Sequence, residues 1–339
     1  MFKTCLKILV LLAVSVPALA AYDKPYIGDM EVYPAKEEDT LIYIARDHNL
    51  GFVEIRAANP QVDPWIPGEG TELILPKRHL LPNAPYQGIV INLPEMRLYA
   101  YVNGNNEPSS FPIGIGREGL STPLGATEVV RKQEGPTWRP TKRMREEKPE
   151  LPEVVGPGPE NPLGDYAMYL GWPTYAIHGT NKPFGIGRRV SSGCIRMYPE
   201  GIEQLFQMIP VGTPVRVVDQ PIKLAWIDDE LYLEAHPDIE QAFQMEETGQ
   251  IYSHKLTNDD LRAIIDVAGN YKDQVDWALV RHAIKGRKGY PVKIAERSQS
   301  GAAKPDKFGE SRTDNTDSDE DETKTVAAYE AESQSVPSP

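Results

Sequence analysis

From residue 87 to residue 219 no apolar run continues far before a glycine or a proline cuts it, and this punctuation limits the fold more than any other feature. The 339-residue chain holds 27 glycines and 31 prolines. Proline fixes φ and removes a backbone donor, and both residues are poorly suited to helix interiors and central strands. What survives between them is a set of short segments that read as strands: residues 89–93, 97–102, 111–116, 126–131, 165–170, 175–178 and 213–218. The first two flank Pro94-Glu95-Met96, as in a hairpin, and the fourth follows the turn Thr122-Pro-Leu-Gly125. With one short helix expected over 199–208, the region reads as a mainly β domain. The proline-rich stretch 138–162 reads as a long loop, and loops of that size in compact domains are often functional lids.

Two smaller regions flank it. Residues 31–77 run strand, helix, helix, strand. Val32-Tyr33 is extended, and Asp39-Thr40 caps a helix with Leu41, Ile44 and Ala45 on one face. Leu50-Gly51 breaks it, a second helix carries Phe52, Ile55 and Arg56 up to Asn59-Pro60, and a turn over 67–70 leads to a strand over 72–76. Residues 221–297 suggest a small α+β region, with a hairpin around Trp226 and Leu231-Tyr232-Leu233 and amphipathic helices over 257–267 and 275–284. From Ser298 onward the chain is polar, and it is acidic over 314–322. A disordered, solvated tail is expected there.

The N-terminus sets the compartment. Lys3 and Lys7 precede an apolar run over 8–16, and Pro17-Ala-Leu-Ala20 places small residues where a signal peptidase reads them. A secretory signal cleaved after Ala20 is expected, since the run is about half of the ~20 residues that span a bilayer. No later stretch is apolar enough to span, so the mature chain is expected outside the cytoplasm without a transmembrane segment. Losing Lys3 and Lys7 takes the formal charge from -13 to -15, and with no basic aromatic patch nucleic acid is an unsuitable partner. Cys5 leaves too, so Cys194 alone remains of two cysteines. A lone thiol in an oxidising compartment reads as a reactive group, an intermolecular bridge or a small buried apolar residue.

The surroundings of Cys194 favour the first. Tyr175-Ala-Ile-His178 ends an apolar strand, and a glycine-rich loop then leads through Arg188-Arg189-Val-Ser191-Ser192-Gly193 to Cys194-Ile-Arg196-Met197. A thiol nucleophile needs a base within reach, and His178 is the candidate. Amides of Gly193 and Cys194 are candidates for an oxyanion hole, and Arg188, Arg189 and Arg196 are expected to favour thiolate and attract a carboxylate. Taken alone, a cysteine and a nearby histidine are suggestive only. One of each falls short of a zinc site, and no CxxC or HExxH occurs, so neither metal nor other cofactor is expected.

The run HGTNKPFGIGRRVSSGCIRM resembles the signature of the YkuD-type L,D-transpeptidase catalytic domain, particularly its proteobacterial branch (the ErfK, YbiS, YcfS and YnhG type). Thr122-Pro-Leu-Gly125, Asn161-Pro-Leu-Gly164 and Tyr175-Ala-Ile-His178 agree with it. The pieces EDTLIYIA, RAANPQVD and PGEGTELILP resemble a LysM domain, a module that binds peptidoglycan or chitin glycan, with Glu38 where glycine is usual. The resemblance implies a YkuD-like β-sandwich with a short helix over 87–219, and a small βααβ LysM domain over 31–77. It further implies an exported enzyme in the periplasm of a Gram-negative bacterium, acting on peptidoglycan stem peptides and glycan strands. Cys194 would attack the bond between the third and fourth stem residues and expel D-alanine. The acyl group would pass to diaminopimelate of a second stem or to the lysine of an envelope lipoprotein. His178 would be the base, oriented by the Gly179 carbonyl. Arg196, Ser191, Ser192, Tyr175 and Arg189 would bind substrate. Ser192 stands where the family often has histidine. An L,D-carboxypeptidase that transfers to water, and a non-catalytic wall-binding protein, are the alternatives.

Overall fold

The computed structural model describes residues 22–102, 107–117, 120–252 and 255–297, so the expected signal segment and the acidic tail lie outside the described residues. The chain begins with β1 (Tyr26–Ile27), then β2 (Glu31–Pro34), α1 (Leu41–Asp47), α2 (Phe52–Ala58), β3 (Glu72–Leu75) and β4 (His79–Leu80). β2 and β3 pair antiparallel, from Glu31 opposite Leu75 to Pro34 opposite Glu72. The Thr40 hydroxyl caps α1 by accepting the Tyr43 N–H, and Leu41, Ile44 and Ala45 are buried against Leu50, Ile55 and Leu73. The expected βααβ layout therefore forms around its own small core.

The next elements are β5 (Gly88–Asn92), β6 (Arg97–Tyr101), β7 (Ser109–Gly116), β8 (Gly125–Glu134), α3 (Lys142–Glu147), β9 (Tyr166–Leu170), β10 (Ala176–His178), β11 (Arg189–Ser191), β12 (Ile195–Met197), α4 (Pro199–Met208) and β13 (Pro214–Val218). They form a nine-stranded sheet in the order β11-β7-β12-β10-β9-β8-β13-β5-β6, in which β7 also pairs with β6. The first half of β7 is bonded to β6 and the second half to β12 and β11. The expected mainly β domain therefore forms. It curls because β7 pairs at one end with β6 and at the other with β12, and β8 at one end with β13 and at the other with β9. Alternation along a strand names its buried face but not its neighbour, so the sharing of β7 and β8 is invisible in sequence. Two corrections are local. The stretch 138–162 carries α3, which buries no side chain and so lacks an apolar face to read. The glycine-rich loop before Cys194 contains β11, and β12 follows it at once.

The C-terminal region has β14 (Ile222–Ile227), β15 (Glu230–Ala235), α5 (Ile239–Thr248), α6 (Asn258–Ala268), α7 (Trp277–Gly286) and β16 (Val292–Glu296). The expected hairpin and two helices form. α5 and β16 were not expected, although Asp238 caps α5 through the Glu240 and Gln241 amides and Gly249 ends it at φ 72°.

These regions do not sit apart. Val53 and Ala57 of α2, and Ala242 and Met245 of α5, belong to the same apolar core as Ile89, Leu98 and Ile113 of the curled sheet. A buried polar cluster joins them again. Arg97 donates to both carboxylate oxygens of Glu54, at 2.9 and 2.8 Å. Lys223 Nζ lies 2.8 Å from Glu95 Oε1 and 2.8 Å from Glu234 Oε1, and donates to the Leu80 carbonyl at 2.6 Å. His79, Glu95 and Glu234 come close enough to ligate a cation, but the Lys223 ammonium already supplies that charge.

Candidate active site

Strand register decides which side chains meet. β10 and β12 run parallel, with Ile177 opposite Ile195 and His178 opposite Arg196. Side chains two residues apart share a face, so Ala176 and His178 on one strand face the same way as Cys194 and Arg196 on the other. All four line one cavity of about 780 Å³. The expected cysteine and histidine thereby line the same cavity, together with Arg196.

His178 is buried, 3% exposed. Its Nδ1 lies 2.6 Å from the Gly179 carbonyl. A carbonyl can only accept, so Nδ1 carries the proton and Nε2 keeps its lone pair. Burial, and then the Arg196 charge, push the imidazole down to about 4 against the opposing pull of the Gly179 and Leu163 backbone. It rests neutral and able to take a proton.

Cys194 is half-buried, and its Sγ–H is directed at the Thr174 carbonyl, 3.4 Å away. Burial raises the thiol above its ordinary range, and the backbone at Ala176 and the Arg196 charge only partly oppose this. The expectation that three arginines favour thiolate is corrected. Arg188 instead pairs with Glu246 of α5 and lies 5.2 Å over the Phe52 ring. Arg189 lies in β11 opposite Ile115, and among the described residues the cavity lining does not include it. Among the described residues Arg196 is the charge that acts on the sulfur, and desolvation outweighs it. The pair rests as neutral thiol and neutral imidazole.

The turn before the thiol is built from glycine and two hydroxyls. Gly193 has φ 109°, and a Cβ there would meet the Tyr175 ring at 3.0 Å. Its N–H donates to Ser191 Oγ at 3.2 Å, and its carbonyl accepts from Thr122 Oγ1 at 2.9 Å. Ser191, 1% exposed, donates in turn to the Cys194 carbonyl. The Ser191 hydroxyl thus holds the turn, taking the Gly193 N–H and giving its own proton to the Cys194 carbonyl, while its side chain still lines the cavity with one lone pair left over. Ser192 and Tyr175 line the cavity, with the Tyr175 hydroxyl 3.4 Å from the Ser121 carbonyl.

Thr122, Asn161 and Gly164 belong to motifs that carried the resemblance, but no role was expected for them. Asn161, fully buried, donates to the carbonyls of Pro136 and Gly156 at 2.6 and 2.9 Å and so ties down both ends of the 138–162 stretch. Gly164 lies against Thr180 N, where a Cβ would come within 2.7 Å, which seats that stretch beside the Gly179 carbonyl. Trp138, Arg139 and Met144 then form part of the cavity wall, as a lid would.

Residues 86–217 match the family model YkuD, described as the L,D-transpeptidase catalytic domain. Over 277 residues the chain is 42% identical to the probable L,D-transpeptidase YbiS of Escherichia coli strain K12, covering 79% of this chain and 88% of that protein. This chain belongs to the L,D-transpeptidase family. The probable L,D-transpeptidase ErfK/SrfK of the same strain is 40% identical over 272 residues, covering 78% of this chain and 86% of that protein. The putative L,D-transpeptidase YkuD of Bacillus subtilis strain 168 is 28% identical over 188 residues, covering 56% and 99%. The alignments with the two Escherichia coli L,D-transpeptidases are more than twice as long as the family match, so the likeness reaches well past the catalytic domain. Among the described residues no helix is long and apolar enough to cross a membrane.

Proposed function

We propose that this L,D-transpeptidase is an exported enzyme of the periplasm that acts on peptidoglycan, with Cys194 as nucleophile and His178 as base. The reading rests on one observation above all: in a member of this family, a half-buried thiol and a neutral imidazole open side by side into one cavity. The Sγ–H turns from the Thr174 carbonyl toward His178 Nε2. As Nε2 takes the proton, Sγ bonds to the carbonyl carbon between the third and fourth stem residues. The tetrahedral intermediate collapses to a thioester, and the imidazolium returns the proton to the departing amine of D-alanine. An acceptor amine then loses a proton to His178 and attacks the thioester, and the freed sulfur takes that proton back. The Cys194 N–H is the proposed oxyanion donor, with the Gly193 N–H already held by Ser191. Arg196, whose guanidinium is lowered by burial and faces the cavity, would bind a substrate carboxylate.

The βααβ unit would hold glycan as a LysM domain does. Support comes from its motifs and from Trp65 and Ile66, which stand 59% and 74% exposed between α2 and β3. The test uses the full chain with disaccharide tetrapeptides, followed by mass spectrometry. Release of D-alanine together with 3-3 linked dimers is expected, and both disappear in Cys194→Ala. Product formation by Cys194→Ala would overturn the assignment. A lipoprotein C-terminal peptide supplied as competing amine identifies the acceptor.

A further inference from the structure

The segment that carries Cys194 is gripped on both sides by residues 46–53 of the βααβ unit. Upstream, the Phe52 N–H donates to the Ile186 carbonyl at 3.3 Å and the Val53 N–H to the Gly187 carbonyl at 3.2 Å. The approach is so close that a Cβ on Gly187 (φ 72°) would fall 2.2 Å from Phe52 N, and one on Gly51 would fall 2.8 Å from Gly187 Cα. The other side of the same segment is bonded to β7, through the Gly187 N–H to Ile113 and the Ile115 N–H to Arg188. Arg188 extends over Phe52 to pair with Glu246. Downstream, the Tyr198 hydroxyl donates to the Leu50 carbonyl at 3.2 Å, and Arg46 pairs with Glu200 at 3.0 Å.

Between these two grips lie β11, the Ser191 hydroxyl that holds Gly193 and Cys194, and β12. From Gly187 to Ser191 the chain is tied to β7 and the residue after it by backbone bonds at Gly187, Arg188 and Ser191, with one register irregularity between Arg189 and Ser191. We propose that the βααβ unit is a positioning element of the active site, and that Gly51 and Gly187 are positioning residues that set where Cys194 stands relative to His178. This rests on the acyl-transfer reading given above and adds to it that the unit shapes the reaction itself, besides whatever it binds.

Gly51→Ala in the full chain tests this. Gly51 has φ -85° and ψ 154°, which alanine adopts freely, so the added cost is the Cβ pressed against Gly187. A displacement of about 1 Å at a reacting group costs roughly a hundredfold, so kcat for D-alanine release should fall about ten- to a hundredfold, with KM within about twofold. The pH profile of Cys194 alkylation by iodoacetamide should shift in the same variant. A folded Gly51→Ala with wild-type kcat and wild-type alkylation profile would overturn the proposal, because a merely structural contact lowers only the melting temperature. Should Gly51→Ala fail to fold, Glu246→Gln carries the test: it loosens Arg188 from the opposite side and should move the alkylation profile in the same direction by less. An unchanged profile there overturns the proposal equally. Alkylation needs no substrate. If the wild-type chain releases no D-alanine, the acyl-transfer reading fails, while the alkylation comparison still decides the positioning role.

Discussion

Replacing Lys223 with methionine removes an ammonium shared by two buried carboxylates. Nζ lies 2.8 Å from Glu95 Oε1 and 2.8 Å from Glu234 Oε1, and the three side chains are at most 1% exposed. Methionine fills similar volume but leaves both carboxylates, and the Leu80 carbonyl, without that donor. Breaking a buried pair by removing one partner costs about 3–5 kcal/mol, far more than the pair itself is worth against an apolar replacement of both sides. For a folded unit of this size each kcal/mol moves Tm by roughly 2–4 °C, so a drop of about 6–20 °C is expected. The pH dependence supplies an independent sign. In the wild type, burial pushes Glu95 up, but Lys223, His236 and the Tyr99 hydrogen bond outweigh it and hold the carboxyl below its ordinary range. A depressed carboxylate contributes stability above its unfolded pKa and loses it as pH falls through the folded value. In Lys223→Met burial dominates, the carboxyl rises, and protonation relieves the variant as pH falls. The Tm difference should therefore narrow from pH 7 toward pH 4. Thermal melting followed by near-ultraviolet circular dichroism across that range measures it. A drop no larger than that of Lys293→Met, which removes an exposed lysine from Glu230, would refute the reasoning. So would a difference that stays constant with pH.

Two predictions concern the site. Because the folded imidazole of His178 is held at about 4 against 6.5 when free, it stays neutral well into acid, and the acid limb of kcat/KM for D-alanine release should centre near 4. The unfolded chain takes that proton first, so the same residue costs stability as pH falls from 6.5, and an acid limb centred near 6.5 would contradict the buried neutral base. Gly193→Ala should abolish most acyl transfer, roughly a hundredfold or more, since it combines a φ of 109° with a contact against Tyr175. Adding Tyr175→Ala clears the ring but not the backbone strain, so recovery of wild-type turnover in the double variant would show that φ is not what glycine supplies.

Much of this was readable before any coordinates. The strand over 89–93 announces itself by the run Ile89-Val90-Ile91 closed by Pro94, and the one over 111–116 by apolar residues that alternate with proline and glycine. β11 and β12 do not, because a three-residue strand such as Arg189-Val190-Ser191 shows neither alternation nor a run. Cys194 and His178 stood out as candidates from residue type and spacing, and the Gly179 carbonyl entered through the family resemblance. Arg188 was misjudged because nearness in sequence to the thiol does not fix direction, and its side chain leaves for α5. The cluster of Glu54, Glu95, Arg97, Lys223 and Glu234 was hidden because its members come from separate segments, although a lone charge amid apolar strand residues, as at Lys223 and Glu234, was an unused signal.

The wedge of Val53, Ala57, Ala242 and Met245 into the curled sheet means that the catalytic portion is not detachable at the borders of its family match. A fragment trimmed to 86–217 would carry Arg97 without Glu54 and Glu95 without Lys223, beneath an apolar hollow open to water. Crystallographers and screeners who want a smaller target should shorten the exposed turns and keep residues 22–85 and 218–297 in place.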